Sequence, residues 1–247
     1  MFRYLMVLTI ASVVGLQGWR TLFNNFAVEQ ASLEGFHIGI IQGIREVPGF
    51  LTLLAIYVML IIKEHRLSAV SVLILAMGVT FTGLFPNFAG LIVTTLVMSF
   101  GFHYFETTNQ SLTLQYFDKA TAPWVFGKLK SLSSAANIGI GVTILVISNF
   151  MTYTHMYVLI GVMVAGAGIW ALREDPTSVD IVPQHKKMVF RKKYWLFYLL
   201  TFLAGARRQI FVAFAVFLMV KVFKYSIQMV TILFVVNNII NYFLAPM

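Results

Sequence analysis

Apolar residues run in blocks of about twenty, separated by short polar breaks, along nearly the whole chain. Blocks of that length predict helices that cross about 30 Å of hydrocarbon. They are continuous rather than alternating, which argues against the strands of a β-barrel. Eight spans are predicted, at about 4–27, 36–62, 67–85, 88–116, 127–150, 155–172, 194–220 and 225–245. The first begins with Arg3 and "YLMVLTIASVV", like a signal peptide, but no small-residue cleavage site follows. The apolar run continues past Gly15, so it is read as an uncleaved first helix. Most connections are short. The exception is 173–193, "REDPTSVDIVPQHKKMVFRKK", which is polar, strongly basic and carries two prolines, and reads as a linker between two halves.

Polar residues inside the spans fall on single helical faces. Gln17, Arg20 and Asn24 share one face of the first span, at i, i+3 and i+7. Gln42, Arg45, Glu46 and Gly49 form a second stripe, and His103, Glu106 and Gln110 a third. Arg207 and Arg208 lie mid-way along the seventh span, and Asn237 and Asn241 one turn apart in the eighth. A charge at the centre of a membrane helix costs roughly 2.5–3.5 kcal/mol, so such groups face a bundle interior, a partner charge or water. Arg45 and Glu46 are adjacent, their side chains diverge by about 100°, and each is expected to need another partner. They either serve a solute and a proton or make interhelical ion pairs that set packing. Glu106 is either a proton carrier, since desolvation disfavours a charged carboxylate, or half of a fixed salt bridge. His103 with Glu106 supplies two ligands and no third, so no metal is expected, nor any cofactor. The asparagines of the eighth span suit interhelical hydrogen bonding as well as ligand contact. Ser133, Asn137 and Gly141, and likewise Gly161 and Ala165, recur every four residues and read as close helix packing.

Composition agrees: 59% of the 247 residues are hydrophobic and 11% charged, with a mean hydropathy of +0.84. The net charge of +9 raises the question of nucleic acid, but its distribution answers it. Arg3, Lys63, Arg66, Lys119, Lys128, Lys130, Arg173, Lys186, Lys187, Arg191, Lys192 and Lys193 fall on the side of the N-terminus, and only Lys221 and Lys224 on the other. That asymmetry encodes orientation: the N-terminus and the linker are expected in the cytoplasm of a multi-pass protein of the inner (plasma) membrane. With no cysteine there is no disulfide or thiol chemistry. No G-x-S-x-G, H-E-x-x-H or P-loop pattern occurs, and no catalytic residue or enzyme activity is expected.

Six helices, a basic linker and further helices resemble the layout of the major facilitator superfamily, whose six-helix halves are each built from inverted three-helix repeats. "FGKLKSLSSAANIGIG" (126–141) looks like that family's entry into its fifth helix, and "YWLFYLLTFLAGARRQIF" (194–211) like its seventh. The connection "LIIKEHRLS" (60–68) keeps an acid, Glu64, and a base, Arg66, of the family's loop signature but lacks its glycine. "NIGIG" (137–141) lacks the glycine–proline pair of drug antiporters, which argues against that class.

The resemblance implies an all-α fold: a six-helix transmembrane bundle over 1–172, a cytoplasmic linker over 173–193, and the first two helices of a truncated second bundle over 194–247. Four helices are then expected to be missing, supplied by further sequence or a partner chain. The resemblance also places helices one, two, four, seven and eight around a central cavity, where the polar stripes are expected to meet. The function expected is secondary active transport of a small solute by alternating access. Four arginines against two acids within the spans lean towards an anion, with Glu46 and Glu106 as proton couplers. The alternative is a non-transporting assembly or accessory protein on the same scaffold. Lipid and a small-molecule substrate are the expected partners, and nucleic acid is not.

Overall fold

A computed structural model describes residues 1–177, 191–200, 203 and 214–244, the last four of these for their backbone alone. Its elements are α1 (Phe2–Glu29), α2 (Gly35–Leu51), a 3-10 turn (Thr52–Leu54), α3 (Ala55–Ile61), α4 (Glu64–Thr82), α5 (Phe88–Tyr116), α6 (Ala122–Ile147) and α7 (Tyr153–Arg173). Beyond residue 190 come a 3-10 turn (Lys192–Tyr194), a helical stretch at 195–200, α8 (Val216–Lys221) and α9 (Ile227–Leu244). Among the described residues six helical segments are long and apolar enough to cross a membrane, α2 and α3 counting as one. Among the described residues the fold is all-helical, with the helix lengths and composition of a multi-pass membrane protein. Asn87 caps α5 by accepting from the Gly90 amide at 2.8 Å, which satisfies a donor that a helix start leaves open. Thr152 caps α7 in the same way, accepting from the His155 amide.

The second span is not the continuous helix its apolar run predicts. Pro48 sits inside α2, lacks an amide hydrogen and disturbs the preceding turn. The chain passes through the 3-10 turn before α3 resumes. Carbonyls near this break find side-chain donors: Thr52 Oγ1 bonds Gly49 at 2.6 Å, and Tyr104 of α5 bonds Leu51 at 3.0 Å. Non-helical backbone at membrane depth is tolerated where protein groups satisfy it in this way.

Helix α4 packs between α5 and α7; α1 packs on α6 and α7; α2 packs on α5. Exchanging spans one, two and three with four, five and six maps these pairings onto one another, as inverted repeats require. Glycines permit the tight crossings. A Cβ on Gly101 would strike the Leu75 backbone and the Ser71 carbonyl, one on Gly78 the Met98 backbone, and one on Gly161 the Thr80 hydroxyl and Ala76 carbonyl. Between the helices lies a core that includes fully buried Trp19, Phe23, Phe26 and Tyr157.

One face of the bundle gathers the N-terminus, the α3–α4 connection and the end of α7. Tyr4 donates to the His65 carbonyl at 2.6 Å, His65 Nε2 lies 3.9 Å from Asp175, and Arg3 sits over Trp170. Hydrogen bonds from Thr177 hold the exposed Asp175 carboxyl below its ordinary range. On the opposite face Glu29 accepts from Asn25 at 3.0 Å and from Tyr153 at 2.9 Å. Helices α8 and α9 dock on α1 and α6. Val216, Val220 and Val230 pack with Val28 and Phe234, and Asn25 reaches the Tyr225 carbonyl at 3.1 Å. Val236, Ile239 and Ile240 of α9 remain exposed.

Candidate functional site

The polar stripes converge. A cavity of about 400 Å³ is lined from α1 by Thr9, Ser12, Gln17 and Arg20, and from α2 by Arg45 and Glu46. Helix α5 adds Ser99, His103, Glu106 and Asn109, and α6 adds Lys130, Ser133 and Asn137. At 1.5 Å per residue, the lining runs from about 12 Å inside the N-terminus of α6, at Lys130, to about 27 Å along α1, at Arg20. The cavity therefore reaches from mid-membrane towards the face that carries the N-terminus.

Arg45 is the most constrained charge. It is 6% exposed, yet its guanidinium pairs with the adjacent Glu46 through Nη2 at 2.8 Å and Nε at 3.2 Å. The neighbours, expected not to pair easily, do pair here. The directions of their Cβ atoms do diverge, but the arginine stem is long enough to fold across the helix surface and bring its planar fork to the acid. The guanidinium also lies 6.0 Å from the centre of the buried Trp19 ring, within cation–π range. Ser99 of α5 donates to the Arg45 backbone carbonyl. Three helices thus fix one arginine at mid-membrane. Below it Gly49 leaves room for the His103 ring, which a Cβ would approach to 3.3 Å. Glu106 follows one turn along α5; it is exposed and, among the described residues, forms no ion pair.

Of the residues singled out in the sequence, Gln17, Arg20, Arg45, Glu46, His103 and Glu106 line the cavity. Asn24 and Gln42 are buried but outside the lining, each with a side-chain oxygen that finds no hydrogen-bond partner among the described residues. Gln110 is exposed beyond the cavity, and Asn237 is exposed on α9. Arg207 and Arg208 lie outside the described residues, as does the side chain of Asn241. In the eighth span Asn238, beside Asn237, makes an interhelical bond, accepting from Asn137 at 3.2 Å.

Lys130, Ser133 and Asn137 lie in the cavity wall, although Lys130 reads as a flanking charge and the other two as packing residues. Their spacing of i, i+3 and i+7 is the signal that marks all three as one face. Carrying the first span's stripe two turns back, through Ser12 to Thr9, would likewise have found those two.

The fold has counterparts in solved structures. In fold the chain is similar to the nucleoside transporter NupG, with a TM-score of 0.73 and 13% identity over 96% of this chain and 64% of that one. It is also similar to an auto-inhibited POT family peptide transporter, with a TM-score of 0.59 and 14% identity over 98% of this chain and 52% of that one. The fold is the one these two solved structures share. The chain spans less than two thirds of either neighbour's length. No protein-family model and no curated protein matches its sequence. The cavity is thus lined by α1, α2, α5 and α6, and α9 packs against α6.

Proposed function

We propose that the chain is part of a secondary active transporter that moves a small anionic solute by alternating access, coupled to protons. The observation that carries this reading is the cavity, where four helices bring five charged side chains to one space. Its volume lies in the range that holds small ligands. Three of the charges are basic, Arg20, Arg45 and Lys130, and two are acidic, Glu46 and Glu106. Arg45 and Glu46 compensate one another, so the acid left to carry a proton is Glu106. A proton on Glu106 removes a negative charge from beside the solute, and an anion in turn favours that proton. Such reciprocity is the linkage that coupling requires. The orientation proposed places the N-terminal face in the cytoplasm of a plasma or inner membrane, because Arg3, Lys63, Arg66 and Arg173 share that face.

Counterflow in proteoliposomes, with labelled small organic anions and uncharged analogues of equal size, tests the substrate class. Exchange of at least one anion, several-fold above empty vesicles and above its uncharged analogue, is the expected result. Preferential exchange of cationic or uncharged solutes would reject an anionic substrate.

A further inference from the structure

We propose that Lys130 of α6, rather than the deeper Arg45, gives the cavity its preference for anions. This rests on the transporter reading and names the residue that sets its substrate class. Arg45 is the more obvious candidate, but the structure gives its charge another role. It is buried, paired with Glu46 at 2.8 Å and set against Trp19, so an incoming anion meets an ion pair already made.

Lys130 differs in each respect. It lines the same cavity but is exposed within it. Among the described residues no carboxylate lies within ion-pairing distance of its ammonium. A lysine carries a compact charge on a flexible stem with three donors, which can follow a solute rather than hold one fixed geometry. It stands at the end of the cavity nearer the N-terminal face, below Ser133 and Asn137 on one helical stripe. Asn137 is itself fixed by its bond to Asn238. The stripe therefore offers an anion a mobile cation at the entrance and hydroxyl and amide groups further in. A cleft with low-dielectric walls focuses the field of such a charge on whatever enters.

The cysteine-free chain permits a test that needs no solute. A single reporter, Ser133→Cys, stands one turn from Lys130, about 5–6 Å away. Its modification rates are measured with an anionic and a cationic methanethiosulfonate of similar size. The anionic reagent is expected to react faster. Lys130→Gln should lower the anionic-to-cationic rate ratio by roughly tenfold, the effect of one unit charge at that distance in water, and Lys130→Arg should keep it. A second reporter at Ser226, on the opposite face, should keep its ratio in every variant. An unchanged ratio at residue 133 in Lys130→Gln, with the melting temperature unchanged, would overturn the proposal. Counterflow that fails while this ratio responds would refute transport of the solutes tried and leave the assignment of Lys130 standing.

Discussion

Gly101→Leu should yield a protein that melts roughly 10 °C or more below the native one, or that fails to accumulate. At this position α4 and α5 touch backbone to backbone: any Cβ would meet the Leu75 backbone and the Ser71 carbonyl. Overpacking against movable side chains typically costs about 1–3 kcal/mol. Here the obstruction is main chain, so the helices themselves must separate, and the cost lies at or above the top of that range. For a chain of this size about 1 kcal/mol corresponds to roughly 2–4 °C. Gly166→Leu on α7 is the control, since nothing lies within 4 Å of a Cβ built there. Its melting temperature should match the native value in detergent thermal denaturation. Equal behaviour of the two variants would mean that the α4–α5 crossing is not the tight contact described.

Glu106→Gln should abolish proton-driven accumulation of the solute while leaving exchange intact. The amide keeps the size of the side chain and resembles its protonated form, but it cannot titrate. With one proton moved per solute, each pH unit of gradient supports roughly tenfold accumulation, and the variant should fall to none. Protein yield should be near native, because among the described residues Glu106 forms no ion pair whose loss would strand a charge. Measuring yield, exchange and accumulation together separates the roles. A sharp fall in yield would assign Glu106 to structure, and native accumulation would remove it from coupling.

The fold was legible because its signal is coarse: runs near twenty apolar residues give spanning helices whatever their details. The fourth span was read at 88–116 and is α5, Phe88–Tyr116. The break in the second span was missed although Pro48 and Gly49 stand in the sequence, since the hydropathy of the run does not change there. In the site, mid-span charges stand out because their cost demands a polar environment, and four of them, Arg20, Arg45, Glu46 and Glu106, line the cavity. Lys130 does not stand out, because a base eight residues from a helix start serves equally well as an orientation signal. Depth along a helix, not residue type, separates the two uses, and depth follows from where α6 begins. Cβ directions alone do not predict the Arg45–Glu46 pair, because the reach of the arginine decides it.

The measurement that bears most directly on the central claim, one water-filled cavity at membrane depth, is thiol accessibility in membranes. Single cysteines replace Ser12, Gln17, Ser99 and Ser133 in the cavity wall, and Met77 and Val162 on the outward faces of α4 and α7. A membrane-impermeant maleimide is then applied separately to each side of the bilayer. The four cavity positions should label from the N-terminal side and the two outward positions from neither side. Labelling of Met77→Cys and Val162→Cys with protection of the cavity set would contradict the account.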